Sequence, residues 1–292
     1  MSVKPLIFGL LCVSWTTSAK AGEDPAQGTE KNWTIGISGG LTTLENASDQ
    51  QYGNVSLTRD LGESYIGLSV TYVDSGDVPG LVTAIPASTT ELTLSAGTAF
   101  DALALDAFVS VGKRDFDVEA VGQNGQSASI SSDGDTFGIG LAASYDIAVT
   151  DRIFLTPSVG IDYNELDIAR IVQGPTGQSV TIGNTEDGVT GTFGITGQKI
   201  FGAQDNHVVA VIANIVTTSN TTSFNPGTSQ SAVLRTLATR DQPGQEDSWG
   251  EIGGALSFGL DNHLRLDFSA LRTIGFLNSD ATSVSVGLRF SF

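Results

Sequence analysis

The sequence predicts an all-β fold, a transmembrane antiparallel up-and-down barrel of about twelve strands with both termini on the periplasmic side, and three observations predict it. Segments of roughly ten residues alternate large apolar side chains with small or polar ones, the period-2 signal of a strand with two different faces. The second face carries Gly, Ser and Thr rather than the Lys and Glu that the solvated face of a soluble barrel or sandwich would show. Short and long connections alternate along the chain, as tight periplasmic turns and longer outer loops do in outer-membrane barrels. Composition agrees: charged residues make up 16% of the chain and it holds 35 glycines.

Strands are expected near 32–40, 51–60, 63–73, 90–100, 103–114, 135–146, 152–165, 188–200, 207–217, 249–260, 263–273 and 282–292. One parity along them reads Ile66, Leu68, Val70, Tyr72, then Leu103, Leu105, Ala107, Val109, Val111, then Phe137, Ile139, Leu141. The other reads Gly67, Ser69, Thr71 and Gly138, Gly140, Ala142. Short links fall at 61–62, 101–102, 147–151, 201–206 and 261–262, and long outer loops at 74–89, 115–134, 166–187 and 218–248. In the last of these, 231-SAVLRTLATR-240 has apolar residues at helical spacing, with Ser229 available as a cap. Twelve strands about 4.8 Å apart and tilted by about 40° would enclose an opening on the order of 14 Å once side chains are subtracted. Unless a loop folds inward, water would fill it.

Residues 1–21 read as a cleaved signal peptide: Lys4, the apolar run 5-PLIFGLLCVSW-15, and 19-AKA-21 as a small-x-small cleavage site. Residues 22–31 would be a short periplasmic segment and 32–292 the barrel. Cys12, the sole cysteine, lies in the leader, so the mature chain cannot be a disulfide scaffold. Removing Lys4 and Lys20 from the 14 basic residues leaves 12 against 32 acidic ones, a net charge near -20. Nucleic acid is a poor partner for such a surface.

Few residues are of a kind that could carry chemistry. His207 and His263 both fall beside predicted periplasmic turns, where neither could activate a serine at the outer leaflet. The stretch 138-GIGLAA-143 fits a loose dinucleotide pattern but lies inside a strand, not at a strand-to-helix turn. With no Walker loop, HExxH or Cys/His cluster, no catalytic residue, cofactor or metal centre is expected. Acidic groups in the outer loops, such as Asp115, Asp117, Glu119 and Asp133, Asp135, are either solvated or bind divalent cations that bridge lipopolysaccharide. Charges on the lumen parity are Glu91, Asp106, Arg114, Asp162, Arg265, Asp267 and Arg289, which either pair to stiffen the wall or set ion preference. Trp33, Phe100, Tyr145, Phe201 and Phe292 fall at periplasmic strand ends. Tyr72, Phe137, Tyr163 and Phe276 fall at outer ends, completing two interfacial girdles on the lipid-facing parity.

The terminal stretch 284-VSVGLRFSF-292 resembles the C-terminal assembly signal of Gram-negative outer-membrane proteins, with Val284, Val286, Leu288, Phe290 and Phe292 on one parity. The resemblance implies insertion into the outer membrane by the assembly machinery through this strand. Twelve strands closing on 286-VGLRFSF-292 are also similar to the translocator β-domain of autotransporters, here without a passenger. What that implies is a passive, non-enzymatic barrel in the Gram-negative outer membrane: a porin-like pore or envelope surface protein. The alternative is a translocator or an adhesin anchor presenting long loops.

Overall fold

The structure, a computed structural model, describes residues 33–44, 49–75, 87–123, 126–173, 179–202, 206–221, 245–276 and 280–292. The expected leader, the 22–31 segment and the helix within 231–240 lie outside the described residues.

The strands are β1 (Trp33–Leu44), β2 (Gln50–Asp60), β3 (Ser64–Ser75), β4 (Ala87–Phe100), β5 (Leu103–Gln123), β6 (Gln126–Tyr145), β7 (Ile147–Thr150), β8 (Ile153–Gln173), β9 (Ser179–Phe201), β10 (His207–Thr218), β11 (Asp247–Gly259), β12 (Leu264–Ile274) and β13 (Ala281–Ser291). Each pairs antiparallel with its neighbours in sequence order, β13 pairs β1, and β6 pairs β8, so the sheet closes. Among the described strands, only the four-residue β7 stands outside the ring, paired with β8 in the segment expected to be a plain turn. A closed ring leaves no unpaired backbone edge to face hydrocarbon.

The ladder fixes the stagger. Following hydrogen-bonded partners from Thr42 through β13, β12, β11, β10 and β9 reaches Thr156 of β8. Following them the other way through β2 to β6 reaches Arg170, so the ring closes with a shift of 14 residues. Strand number and stagger together set the tilt, about 40°, and a backbone diameter of about 24 Å.

Turn chemistry closes the tight end. The two-residue link after Phe100 puts Asp101 at φ 53°, a left-handed conformation that Asp tolerates. After β2, Gly62 takes φ 94° and its N–H donates to the Asp60 carboxylate at 2.7 Å.

Three expectations are corrected. The described residues of 115–134 and 166–187 are strand, not loop: β5 and β6 stay paired out to Gln123 and Gln126, β8 and β9 out to Gln173 and Ser179, and β6 with β8 out to Ile130 and Val172. A membrane strand needs about 9–11 residues, and these four run to 20–23, so a four-stranded sheet continues beyond the barrel. Phe276 does not join a lipid-facing girdle: it is buried and meets the Trp249 ring edge-on at 4.9 Å, with Val216 alongside. It follows Gly275, whose φ of 78° turns the chain, so strand parity no longer applies to it.

Nor is the second face small or polar throughout. Phe108, Phe154, Leu166 and Trp249 all lie buried on it. Phe108 fits because Gly140, directly opposite it on the adjacent strand β6, has no Cβ to collide with its ring. The polar residues of this face are covered as well: Glu91, Thr93, Thr156 and Asn164 are each 1% exposed. The outer face is the converse, with Leu141 60% and Phe193 62% exposed.

Candidate functional site

Two regions carry the candidate residues: the closing strand and the inner wall. β13 is hydrogen-bonded on both sides, to β1 from Thr34↔Ser291 up to Leu44↔Ala281, and to β12 from Leu264↔Phe290 up to Arg272↔Thr282. Phe292 is tied down as well, since its N–H donates to Trp33 O at 2.9 Å and its carbonyl accepts from Trp33 N at 3.1 Å. Val284, Val286, Leu288, Phe290 and Phe292 all point outward and are exposed. Phe290 stacks on Phe292 and on His263, both at 5.9 Å between ring centres.

On the inner wall, polar side chains hold the carboxylates. Tyr65 donates its hydroxyl to Asp106 at 2.7 Å, and Thr93 donates to Glu91 at 3.1 Å. Asn164 donates to Asp162, which is only half-buried. Arg114 lies 1% exposed between Thr89 and Gly134 in the ladder. Arg289 is bidentate on Asp267, with Nε to Oδ2 at 2.6 Å and Nη2 to Oδ1 at 2.9 Å. Arg265 Nε donates to Ser257 Oγ at 3.1 Å, and Arg289 Nη2 reaches the same hydroxyl at 3.3 Å.

Sequence reasoning missed two inward carboxylates. Glu251 is buried and accepts from Asn214 Nδ2 and Trp249 Nε1, each at 3.1 Å. Asp146 is buried and accepts from Thr156 at 2.6 Å. Parity could have found both, since Glu251 lies in step with Ala255 and Ser257, and Asp146 with Ala142 and Ser144.

Of the girdle aromatics, Tyr72, Phe100, Phe137 and Tyr145 are exposed on the outer face. Trp33, Tyr163 and Phe201 are half-buried. Arg59 sits 5.4 Å from the Trp33 ring centre, and Tyr163 donates its hydroxyl to Glu165 at 2.7 Å. His207 is half-buried between Phe201 and Phe258, at 5.3 and 5.6 Å, and His263 Nδ1 lies 2.8 Å from Ser291 O. The stretch 138–143 runs through the middle of β6, with no helix following it. Asp115, Asp133 and Asp135 are exposed, and among the described residues no three His, Cys, Asp or Glu side chains gather as a metal-binding group.

Comparison with known proteins agrees with the architecture. A family model described as the autotransporter beta-domain matches residues 14–270. No curated protein sequence matches the chain. Among solved structures, the translocator domain of the autotransporter NalP from Neisseria meningitidis superposes with a TM-score of 0.66 at 15% identity, over 92% of this chain and 90% of that one. The β domain of the Bordetella autotransporter BrkA gives 0.61 at 16% identity, over 89% and 99%. The closed twelve-stranded ring, the apolar outer face and the family match converge: the chain belongs to the autotransporter β-domain family, as an outer-membrane barrel of the pore or translocator kind.

Proposed function

We propose that the chain is a passive outer-membrane barrel of the translocator type, shut at rest and without catalysis of its own. The observation that carries this reading is the covered inner wall, where Glu91 and Arg114, charges that would line an open channel, are each 1% exposed. An aqueous bore of porin width would leave such side chains wet. The outward aliphatic band gives the surface that outer-membrane lipid would contact. The strand 284–292, with its apolar outward parity, is the segment the assembly machinery would recognise. Export would follow a cleaved leader at 1–21, and both ends of the barrel wall would lie on the periplasmic side.

A second reading is favoured by the sheet extension: a barrel that anchors a surface structure, with β5, β6, β8 and β9 displayed outside, beside lipopolysaccharide and its divalent cations. Protease treatment of intact cells tests the orientation both readings share. Cleavage should fall in 218–248 and spare 201–206, and cleavage of 201–206 in intact cells would reverse the topology.

A further inference from the structure

The lipid-facing surface is not equally tall all the way round. Along a strand tilted by about 40°, every second residue faces outward and each such step climbs about 5 Å along the membrane normal. On β2 the outward row is Gln51, Gly53, Val55, Leu57 and Arg59, and its two polar ends are both exposed. Those ends are four steps apart, so water and headgroups come within about 20 Å of each other there. On β6 every outward position from Phe137 to Tyr145 is apolar, and β7 carries the row on through exposed Ile147 and Val149. The register on β8 is unbroken from Ala143↔Val159 to Ile147↔Leu155. Six apolar steps make about 30 Å, against an apolar band of about 25 Å in outer-membrane barrels generally.

The narrowness of the β2 row does not relax away. Arg59 holds its guanidinium 5.4 Å from the ring centre of Trp33, its own ladder partner, so its charge stays at that level and does not reach further towards the periplasm. At the other end Gln51 stands opposite Asp74 of β3, also exposed, so the polar boundary is shared by two strands. Between the ends, Gly53 stands opposite Gly39, and a Cβ at Gly53 would meet nothing within 4 Å, which leaves a dent in the apolar surface. Tilting the barrel offers no remedy, because a rigid tilt moves both edges of one sector together. A short apolar span is met instead by thinning of the bilayer beside it.

We propose that the β2 sector holds the bilayer thinner than the β6–β8 sector does, and so forms a contact for compressed lipid chains one strand away from the seam where β13 pairs β1. The inference rests on the reading of the chain as an outer-membrane barrel, and the test separates the two.

The full chain carrying Cys12→Ser has no other cysteine. Refolded in phosphatidylcholine vesicles, it takes one nitroxide at a time on a cysteine placed at each outward position of 51–59 and of 135–149. Relaxation by dissolved oxygen marks contact with lipid chains, and relaxation by an aqueous nickel chelate marks contact with water. The water-contacting positions that bound the lipid row should lie about 20 Å apart on β2 and about 30 Å or more apart on β6 and β7. Gln51→Leu combined with Arg59→Leu should move the fastest refolding to phosphatidylcholine of longer chain length. Spans that agree to within one step, about 5 Å, would overturn the proposal, as would an unchanged refolding optimum in the double variant. Labels at 53–57 shielded from both relaxants would overturn it too, since a protein surface would then cover β2. If the double variant does not refold, the labels alone decide. Water contact at every position of 135–149 would refute the barrel reading itself, and this inference with it.

Discussion

Arg289 grips Asp267 across the β12–β13 ladder with two near-parallel hydrogen bonds, and the two side chains are only 9% and 16% exposed. Removing one partner of such a pair strands the other charge away from water. Asp267→Ala should therefore destabilise the barrel by about 3 kcal/mol, while Asp267→Ala combined with Arg289→Met should cost less than the single change. Urea unfolding in lipid vesicles reads both, and additive losses would mean that the pair is not coupled.

The Trp249–Phe276 contact makes a separate prediction. Phe276→Ala removes a ring packed edge-on against Trp249 at 4.9 Å, and should cost roughly 3 kcal/mol as a buried large-to-small change. Trp249 is 3% exposed, whereas Trp33 is half-buried at the opposite end of the strands. Aqueous quencher should reach Trp249 in the Phe276→Ala chain much more readily than in the wild type. Unchanged quenching would place Trp249 outside this cluster.

Outward parity predicts that Leu141→Arg destabilises the barrel by about 2–4 kcal/mol, the cost of arginine near the bilayer midplane. Leu141→Val, which keeps the face apolar, should stay within about 1 kcal/mol. Equal losses would mean that Leu141 does not face lipid. Ala142→Arg, one residue on, is no benign control, because Ala142 is 6% exposed and an added side chain would have to displace its neighbours.

The anchored chain end gives a fourth prediction. Phe292 is held to Trp33 by two backbone hydrogen bonds and stacks on Phe290. Deleting it should slow assembly and send more of the chain to periplasmic proteolysis, read as yield in the outer-membrane fraction. Equal yield with and without Phe292 would remove this strand end from the assembly step.

Much of the wall was legible because the code there is simple: in lipid the outer face must be apolar, so Ile66, Leu68, Val70 or Phe137, Ile139, Leu141 announce their strands and their sides together. The strands outside the membrane were not, because lipid no longer demands alternation there. In 126-QSASISSDGD-135 the Ser, Gly and Asp residues that signal a loop are carried by β6 as a paired strand, since β5 and β8 supply partners on both sides. The inner wall was half legible. Parity placed Glu91, Asp106 and Arg289, but Phe108 and Phe154 broke the small-or-polar rule. Their accommodation depends on three-dimensional neighbours, such as Gly140 one strand away, that spacing along a single strand does not reveal.

Planar-bilayer recording of the refolded full-length barrel tests the central claim most directly, that the ring stands in the membrane with its interior covered. The chain should conduct far below the level of a water-filled cylinder about 14 Å wide. What current passes should favour cations at low salt, because the acidic surface draws them in, and should lose that bias at 1 M, where the Debye length is about 3 Å. A steady, large, ohmic conductance from the unmodified chain would contradict the covered interior, and anion preference at low salt would contradict the electrostatic account.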